Sequence, residues 1–458
     1  MTLPPTYLAQ IVDHVRLATA SPEAIAFAKL RVMDFIAASC DGLLSDTVDL
    51  FDQYVEKSGG SHSATVLASG RRSTALLVSA ANAAAAHAAE TDDIHVDVTG
   101  LHAGAVVIPA ALAAAEASRS DGRKFLEGVI AGYEVAGRIG AAISPSHRAR
   151  GFHSTGTIGA LGAAAAASIA FGDPNERVIS SIGLGTSMAG GTFSVLAGGA
   201  QAKHLHPAHA AMAGTWAADL ARLGLDAAPR ALEVVDGFFS AYSDQVDRDR
   251  LLGATSEFEI ARVLVKPFPC CAHAYGAVEA ALSLRDQTHL DSIETIRVQT
   301  YHAAAVLANR HPTTREEAKL SLPYCVVAAL REPVFDESCF SDEAITRITA
   351  DPLLNRLIME DSDWANAAFP KKRLTRLGLT RVTGEVVASE KEILHRPTTE
   401  PSVIHRKFRV ACAPVFGAAV EELSNRIQEL DSTSNAVAEL VSFCSKAASD
   451  YRSGSRFI

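Results

Sequence analysis

Four short stretches of the chain place ionisable side chains next to long apolar segments, a setting that suits acid–base chemistry. The first stretch, AETDDIH (89–95), puts Glu90, Asp92 and Asp93 close together, and His102 follows it. Carboxylates repel one another, and their burial is costly unless cations or hydrogen-bond donors face them. Carboxylates beside a histidine are groups that remove a carbon-bound proton and return it.

The three other stretches add histidines and lysines at junctions next to helix-like segments. They are RARGFHSTGTIGALG, GGAQAKHLHPAHAA and VKPFPCCAHAYGA, and their candidate residues are His153, Lys203, His206, Lys266, Cys271 and His273. Lysine binds carboxylates as a point charge, and a helix N-terminus adds to the positive field. Taken together, the four stretches predict an acid–base site for a small anion.

Each of these residues also has a structural interpretation, which stays open at this point. Asp92 and Asp93 would also serve to cap the segment that follows them. His153 taken alone is more often a hydrogen-bonded structural histidine, and Lys266 taken alone is more often a surface residue. The adjacent cysteines of KPFPCC are favoured as small buried hydrophobic residues.

The histidine-rich third stretch raises the question of a metal site. His204, His206 and His209 have the His-x-His and His-x-x-His spacings that bind zinc in some proteins. No HExxH motif occurs, and the adjacent cysteines have no matching second pair. We therefore predict a site without a metal.

Length, composition and charge limit the class of protein. A chain of 458 residues is too long for one ordinary core, so two domains are expected. The hydrophobic fraction of 48% and the charged fraction of 21% are those of a soluble globular protein. The net charge of −10 argues against nucleic acid or an anionic membrane surface as a partner. A small anionic substrate in a local basic pocket is still compatible with this charge.

Cysteine usage and apolar stretches indicate the compartment. The seven cysteines show no framework spacing, and the start of the chain lacks a basic segment followed by an apolar one. A reduced, cytoplasmic protein is therefore expected. The longest uncharged stretch (154–172) consists mostly of Ala, Gly, Ser and Thr, which are too weakly apolar for a membrane helix. It is predicted to be a buried helix inside a bundle.

The periodicity of the apolar residues predicts the elements that must position these groups. Nearly all of the chain up to about residue 265 has helical periodicity, interrupted by short Gly, Pro and Asp junctions. Two strand regions follow, 292–301 and a hairpin over 379–396 that is predicted to turn near Ser389 to Lys391. The sequence thus predicts a mainly α protein, with an all-helical domain (1–267 plus 398–458) and an inserted smaller α+β domain (268–397).

Five segments, in this order along the chain, resemble motifs of the MmgE/PrpD family. They are NAAAAHAAETDDIHVDVTGLHAGAVVIPAALA, GFHSTGTIGALGAAAAAS, QAKHLHPAHAA, KPFPCCAHAYGAVEA and TREEAKLSLPYCVVAAL. Each motif alone is moderately specific, and five in register are strong. The family includes 2-methylcitrate dehydratase, cis-aconitate decarboxylase and iminodisuccinate epimerase.

The resemblance implies a large helical domain with an inserted α+β lid, a homodimer, and neither a metal nor an organic cofactor. The implied site lies between the domains and acts on small di- and tricarboxylates. Carried over residue by residue, the resemblance implies catalytic roles for His102, His153, Tyr324 and Asp93. It implies substrate binding by Lys203, Lys266, His206, Glu90, Asp92, Cys271 and His273.

The sequence departs from the family pattern at several of these positions. Glu90 stands where the family usually has an aspartate, and Ile94 replaces a hydroxyl residue. Two extra residues lie between the acidic segment and His102. Cys271 occupies a position where decarboxylase relatives have a histidine, and Tyr275 stands where other relatives have a later one. These departures weaken a decarboxylase assignment.

The resulting prediction is an acid–base lyase of the dehydratase type, which acts beside a carboxylate on a small di- or tricarboxylic acid. Dehydration needs a base and an acid, whereas epimerisation needs two groups on opposite faces of the substrate. The alternatives are an epimerase or isomerase, a decarboxylase, and a non-catalytic family member that binds a carboxylate metabolite.

Overall fold

The computed structural model describes residues 5–196, 201–254, 257–287, 289–369, 372–394 and 397–454. These residues divide into two compact units. Unit 1 comprises the described residues within 1–194, 202–265 and 397–458, and unit 2 comprises those within 195–201 and 266–396.

The described residues form helices throughout the chain and strands mainly in unit 2. The helices are α1 Tyr7–Thr19, α2 Pro22–Gly42, α3 Asp46–Ser58, α4 Ala75–Ala88, α5 Gly104–Ser118, α6 Gly122–Ile143, α7 Ser146–Ala149, α8 Ser154–Ala170, α9 Asn175–Thr186, α10 Leu205–Arg222, α11 Phe238–Tyr242, α12 Arg248–Leu252, α13 Tyr275–Leu284, α14 His302–Ala305, α15 Arg315–Leu320, α16 Leu322–Arg331, α17 Asp342–Thr349, α18 Leu353–Arg356, α19 Asp363–Asn366, α20 Pro401–Phe416, α21 Val420–Gln428 and α22 Ala436–Arg452. The strands are β1 Ala64–Thr65, β2 Arg72–Ser73, β3 Ile94–His95, β4 Val263–Leu264, β5 Ile293–Thr300, β6 Leu357–Asp361, β7 Lys372–Arg381 and β8 Val386–Leu394.

Unit 1 is a helical bundle built around α8. Every residue of α8 is buried, and α5, α6, α9 and α10 pack around it. Small residues allow this close packing: a Cβ atom at Gly214 of α10 would lie 2.4 Å from the Cβ of Ala163. The sequence-based prediction of a buried helix in this stretch is confirmed. Among the described residues, no helix combines the length and apolar character needed to cross a membrane.

Unit 1 also contains two short pairs of antiparallel strands, β1 with β2 and β3 with β4. The last three helices, α20 to α22, bring Phe408, Leu423 and Leu440 into the core of unit 1. The mainly α fold class with a smaller α+β region is therefore confirmed, with these strand pairs as an addition to the helical part.

Unit 2 contains a four-stranded sheet in the order β6-β5-β7-β8. Strand β5 runs parallel to β6 and antiparallel to β7, and β8 pairs antiparallel with β7 at the sheet edge. Helix α13 packs on β7 and β8, and α16 packs against α13. The core of this unit includes Ile296, Val298, Leu377 and Leu379 from the sheet.

The predicted position of the hairpin turn is wrong. The chain turns at 382–385, where Gly384 has a φ of +82° and the N–H of Gly384 donates to the carbonyl of Arg381. Ser389 and Lys391 lie within β8, opposite Leu377 and Thr375. Polar residues were expected to mark a turn, but in this edge strand Glu390 and Glu392 form cross-strand ion pairs with Arg376 and Lys372, and Ser389 contacts Ser283 of α13. Residues 395 and 396 of the predicted hairpin lie outside the described residues.

Candidate active site

The acidic loop between α4 and α5 is fixed by contacts at both ends. It begins at Glu90, whose φ of +60° is in the left-handed region and turns the chain away from α4. Lys407 of α20 donates to the carbonyl of Thr91 and forms an ion pair of 2.6 Å with Asp34 of α2. The loop then enters β3, which pairs with β4. Two other helices therefore hold the backbone of this loop in place.

The carboxylate of Asp93 is buried and used for structure. Its Oδ1 accepts a hydrogen bond of 2.9 Å from the N–H of Gly104, the first residue of α5, and its Oδ2 accepts one from the Tyr133 hydroxyl. Burial and the nearby Asp34 raise the pKa of the Asp93 carboxyl. These contacts correspond to the capping interpretation of Asp93, and its predicted catalytic role stays a prediction that rests on the resemblance.

His102 lies buried at the end of the loop with its orientation defined. Its Nδ1 lies 2.9 Å from the main-chain carbonyl of Asp93 and 3.3 Å from Oδ2 of Asp92. Its main-chain N–H donates to the Thr155 hydroxyl at 3.0 Å. Because a carbonyl oxygen only accepts, Nδ1 carries a proton, and the neutral tautomer that fits this contact has its lone pair on Nε2. This is the tautomer that a general base requires.

His87 is a further member of the site that the sequence analysis did not single out. Its Nδ1 donates to Oδ2 of Asp92 at 2.6 Å, and its ring centroid lies 4.7 Å from that of His102. Burial lowers the pKa of His87 to about 4, although the charge of Asp92 opposes this shift. The ring is therefore neutral at pH 7. The only sequence indication was its spacing of three residues before Glu90 in an alanine-rich helix.

His153 and His206 form a second histidine pair. Their Nδ1 atoms lie 2.7 Å apart, so one ring donates a hydrogen bond to the other. Burial, reinforced by the charge of Lys203, lowers the pKa of His153, and burial together with His209 lowers that of His206. The centroids of the His102 and His153 rings are 6.4 Å apart. The His102 and His153 rings therefore lie within one small substrate's length of each other.

Lys203 contributes the positive charge of this cluster. It lies in the 3-10 turn before α10 and forms an ion pair with Glu90. Both side chains are about one-sixth exposed. A substrate carboxylate that binds Lys203 must therefore compete with Glu90.

Unit 1 thus brings together seven of the predicted residues. These are Glu90, Asp92, Asp93, His102, His153, Lys203 and His206. His204 extends the row of rings: its centroid lies 5.9 Å from that of His87, and its Nδ1 lies 2.8 Å from the Thr47 hydroxyl.

Four predicted residues belong to unit 2 and are described within it. Lys266 is buried, whereas Cys271 and His273 are partly buried. Nδ1 of His273 lies 2.8 Å from the Tyr301 hydroxyl. Their predicted substrate-binding roles continue to rest on the resemblance.

Tyr324 of α16 lies in the interior of unit 2. Its side chain is fully buried, and its hydroxyl donates to the main-chain carbonyl of Cys339 at 2.5 Å. Burial raises the pKa of this hydroxyl. The hydroxyl proton is therefore held by a carbonyl in a packed core, and the predicted catalytic role stays a prediction that rests on the resemblance.

The geometry of unit 1 supports proton transfer to or from carbon. It provides a histidine oriented by its Nδ1 contact (His102), the His153–His206 pair, and a lysine for an anionic group. The fold and this cluster define the chain as a mainly α protein with a histidine–carboxylate site.

Comparison with known families identifies the chain more closely. The model of the MmgE/PrpD N-terminal domain matches residues 6–250, and the model of the MmgE/PrpD C-terminal domain matches residues 268–432. The chain therefore belongs to the MmgE/PrpD family, as the motifs indicated.

Several relatives share the name of one enzyme. The chain is 26% identical to human cis-aconitate decarboxylase over 370 residues. The matched region covers 77% of this chain and 75% of that protein. It is 25% identical over 334 residues to cis-aconitate decarboxylase of Aspergillus terreus, with 68% of each chain covered. It is 29% identical over 230 residues to the cis-aconitate decarboxylase-like protein oryM of Aspergillus oryzae, with 46% of this chain and 47% of that protein covered.

Proposed function

We propose that the protein is an acid–base lyase of the dehydratase type that acts beside a carboxylate on a small di- or tricarboxylic acid. The observation that carries the proposal is His102, whose Nδ1–H is fixed on the Asp93 carbonyl so that Nε2 is free to accept a proton. Membership of the MmgE/PrpD family supports the carboxylate substrate class.

In this proposal His102 is the general base. Its Nε2 takes the proton from the carbon next to a substrate carboxylate, and the ring becomes an imidazolium. The Asp93 carbonyl and the Asp92 carboxylate, both near Nδ1, stabilise that positive charge. The buried setting strengthens these interactions because water does not screen them.

Lys203 binds the carboxylate that makes this carbon acidic. Its ammonium group neutralises the negative charge that builds up on the carboxylate as the proton leaves. Because Glu90 already pairs with Lys203, substrate binding exchanges one carboxylate partner for another. Replacement of Glu90 by the substrate favours substrates whose carboxylate contacts Lys203 directly.

His153 assists the departure of the hydroxyl group. Its Nδ1 meets Nδ1 of His206, so in the tautomer where His206 donates, Nε2 of His153 carries a proton. His153 donates this N–H as a hydrogen bond to the leaving hydroxyl group, and the imidazolium of His102 protonates that group, so that water leaves while the carbon–oxygen bond breaks and the carbon–carbon double bond forms. The reaction is then balanced: the proton that His102 takes from carbon leaves with the hydroxyl group, and both histidines return to their starting state.

Decarboxylation is the second candidate, favoured by the names of the relatives. Human and Aspergillus terreus proteins that match most of this chain are named cis-aconitate decarboxylases. In that reaction the same histidine would deliver a proton to carbon after loss of carbon dioxide. Family members that bind a carboxylate metabolite without turnover form a third possibility.

One experiment separates these functions. The purified protein is incubated in deuterated buffer with 2-methylcitrate, citrate, cis-aconitate or iminodisuccinate, and the substrates are followed by NMR. A dehydratase gives an unsaturated acid and deuterium exchange at the carbon next to the carboxylate. A decarboxylase instead gives a product with one carboxylate fewer and releases carbon dioxide.

Variants then test the residue assignment. His102→Ala is expected to abolish exchange, and His153→Ala to reduce formation of product more than exchange. His62→Ala, on an exposed loop, is the control and is expected to behave as the wild type. Exchange that persists in His102→Ala contradicts the proposal, and binding without exchange for every substrate supports the non-catalytic alternative.

A further inference from the structure

Three side chains of unit 1 place potential metal-ligand atoms near one another. His87, Glu90 and His102 each place one ligand atom so that all three atoms lie within 4.8 Å of one another. The proposed reaction uses His102 and gives His87 no role of its own. Two imidazoles and one carboxylate form a donor set that divalent transition-metal ions bind in proteins.

The hydrogen bonds of the two rings leave the same nitrogen available on each. Nδ1 of His87 donates to the Asp92 carboxylate, and Nδ1 of His102 donates to the Asp93 carbonyl. Both acceptors are oxygen atoms, so both rings keep their lone pair on Nε2. An oxygen acceptor behind the ring is the arrangement that orients metal-binding histidines and raises their basicity.

The Nε2 atom of His87 is the second observation that indicates a ligand. The side chain of His87 is fully buried, and within the described part of the chain its Nε2 has no hydrogen-bond partner. Leaving such a buried nitrogen without a partner is unfavourable. A bound cation would remove that cost.

The distance between the His87 and Glu90 donor atoms fits a small cation better than a direct contact. Nε2 of His87 lies 3.6 Å from Oε1 of Glu90, too far for a hydrogen bond. Ligands at about 2.0–2.1 Å from a tetrahedral zinc ion are separated by about 3.3–3.4 Å. A small rotation of the Glu90 side chain would therefore complete this edge of a site.

Lys203 occupies the position of a cation in the present arrangement. Its ammonium group pairs with the same Oε1 of Glu90 that faces His87. A divalent ion bound by Glu90 would repel the ammonium group at such a short distance. Metal binding and the Glu90–Lys203 pair therefore exclude each other.

We propose that His87, Glu90 and His102 form a binding site for a divalent transition-metal ion of the zinc type, and that the ion competes with Lys203 for Glu90. Nitrogen ligands favour such ions over magnesium and calcium, which prefer oxygen. The bound ion occupies Nε2 of His102 and displaces Lys203, so it inhibits turnover. This inhibition rests on the proposed function, whereas metal binding does not.

Binding is tested without substrate on the full-length protein. After treatment with a chelator, the protein is titrated with Zn2+ by calorimetry and with Co2+ by visible absorption, which reports ligand type and geometry. One ion per chain is expected, with a Co2+ spectrum of nitrogen and oxygen ligands. A spectrum with strong thiolate bands would overturn the proposal, because it would place the ion on cysteines.

Three variants make the assignment specific. His87→Gln and Glu90→Gln are expected to weaken Zn2+ binding by about 10- to 100-fold or more. Lys203→Met is expected to tighten it, a gain that misfolding does not produce. His62→Ala is the matched control for loss of a histidine elsewhere in unit 1, and circular dichroism checks that each variant folds.

The outcomes separate this proposal from the proposed function. Zn2+ binding that is unchanged in both His87→Gln and Glu90→Gln, or weakened in Lys203→Met, overturns the metal site whatever the enzyme does. Zn2+ binding with the expected variant pattern, in a protein that turns over no substrate, supports the metal site and contradicts the lyase proposal alone.

Discussion

The ion pair between Glu90 and Lys203 joins the acidic loop to the turn before α10. It brings a negative charge to the lysine that is proposed to bind the substrate carboxylate. Both side chains are mostly buried, so the pair is only partly screened by water. Glu90 therefore lowers the affinity of the site for anions and selects against weakly bound ones.

The first prediction follows from this pair. Glu90→Gln removes the competing charge, and citrate binding is expected to tighten by about tenfold or more, since a nearby charge contributes over 1 kcal/mol even in a polar setting. Isothermal calorimetry measures the affinity. Glu127→Gln is the matched control, because it removes a carboxylate from the ion pairs with Arg123 and Lys124 on α6. Unchanged or weaker citrate binding in Glu90→Gln would contradict the prediction.

At the residue scale, the sequence identified the ionisable groups but not their roles. Asp93 was predicted to be catalytic from the family resemblance, which stays a prediction, and the structure adds that its carboxylate accepts a hydrogen bond from the first residue of α5. His87 lies inside an alanine-rich helix, and a lone histidine on such a helix gives no local indication of its partners. Its contact with Asp92 depends on the left-handed turn at Glu90, which few sequences reveal for a residue other than glycine.

At the scale of elements, glycine positions decide how closely the helices of unit 1 approach. A Cβ atom at Gly214 of α10 would lie 2.4 Å from the Cβ of Ala163 and 2.5 Å from the main-chain nitrogen of Ala164. At Gly185 of α9 the nearest atom would be 3.4 Å away, an ordinary contact. The two glycines thus allow the same substitution to be compared in a tight and in a relaxed environment.

The second prediction uses this contrast. Gly214→Ala is expected to destabilise the protein by about 1–3 kcal/mol, because overpacking against backbone outweighs the higher helix propensity of alanine. Gly185→Ala is expected to be neutral or stabilising by about 1 kcal/mol. Urea unfolding followed by circular dichroism measures both. Equal effects in the two variants would show that the α8–α10 contact is looser than described.

The elements that sequence periodicity predicted best are the buried helices. The stretch that forms α8 was predicted as a bundle helix because its small residues are too weakly apolar for a membrane. The same small residues allow other helices to pack around α8 on every side, and all of its residues are buried. The position of the hairpin turn was predicted wrongly because the segment SEKE (389–392) has the composition of a turn. The pairing of Glu390 with Arg376 across β7 and β8, which decides the register, is a long-range contact that local composition does not encode.

At the scale of the whole molecule, a buried carboxyl group couples stability to pH. Glu134 of α6 accepts from Arg138 and from the main-chain N–H of Glu259. Burial, reinforced by the charge of Glu259, raises the pKa of Glu134 from 4.5 to about 7. Between these two values the folded protein holds a proton that the unfolded chain has released. Stability from this group is therefore complete below pH 4.5 and falls as the pH rises towards 7.

The third prediction concerns the slope of stability with pH. In the wild type, Glu134 is expected to lower the free energy of unfolding by up to roughly 3 kcal/mol as the pH rises across this range. Glutamine cannot ionise, so the free energy of unfolding of Glu134→Gln is expected not to show this fall. The variant is less stable overall because glutamine replaces one acceptor oxygen with a donor. Urea unfolding at several pH values from 5 to 8 measures the slope. Parallel curves for variant and wild type would show that Glu134 ionises normally.

The last prediction concerns self-association, which the family resemblance implies. Helix α10 is buried on most of its surface, and between Leu205 and Trp216 its outward stripe consists of Leu205, His209, Met212 and Trp216, with no Asp, Glu, Lys or Arg among them; Asp219 and Arg222 follow at the end of the helix. Leu205 is 54% exposed and Trp216 is 51% exposed. Burying large apolar side chains contributes about 1.5–3 kcal/mol each, and a twofold axis doubles every contact.

We therefore expect a homodimer that buries this stripe, and we expect Trp216→Glu to convert it to a monomer, since two unpaired carboxylates would be buried at the contact. Size-exclusion chromatography with light scattering measures the mass of each variant across a concentration series. Val382→Glu, at a more exposed apolar position in the hairpin turn of unit 2, is the control and is expected to stay dimeric. A monomeric wild type rules out the dimer, and a dimeric Trp216→Glu moves the contact to another surface. The stripe would then need a different explanation for its lack of charge.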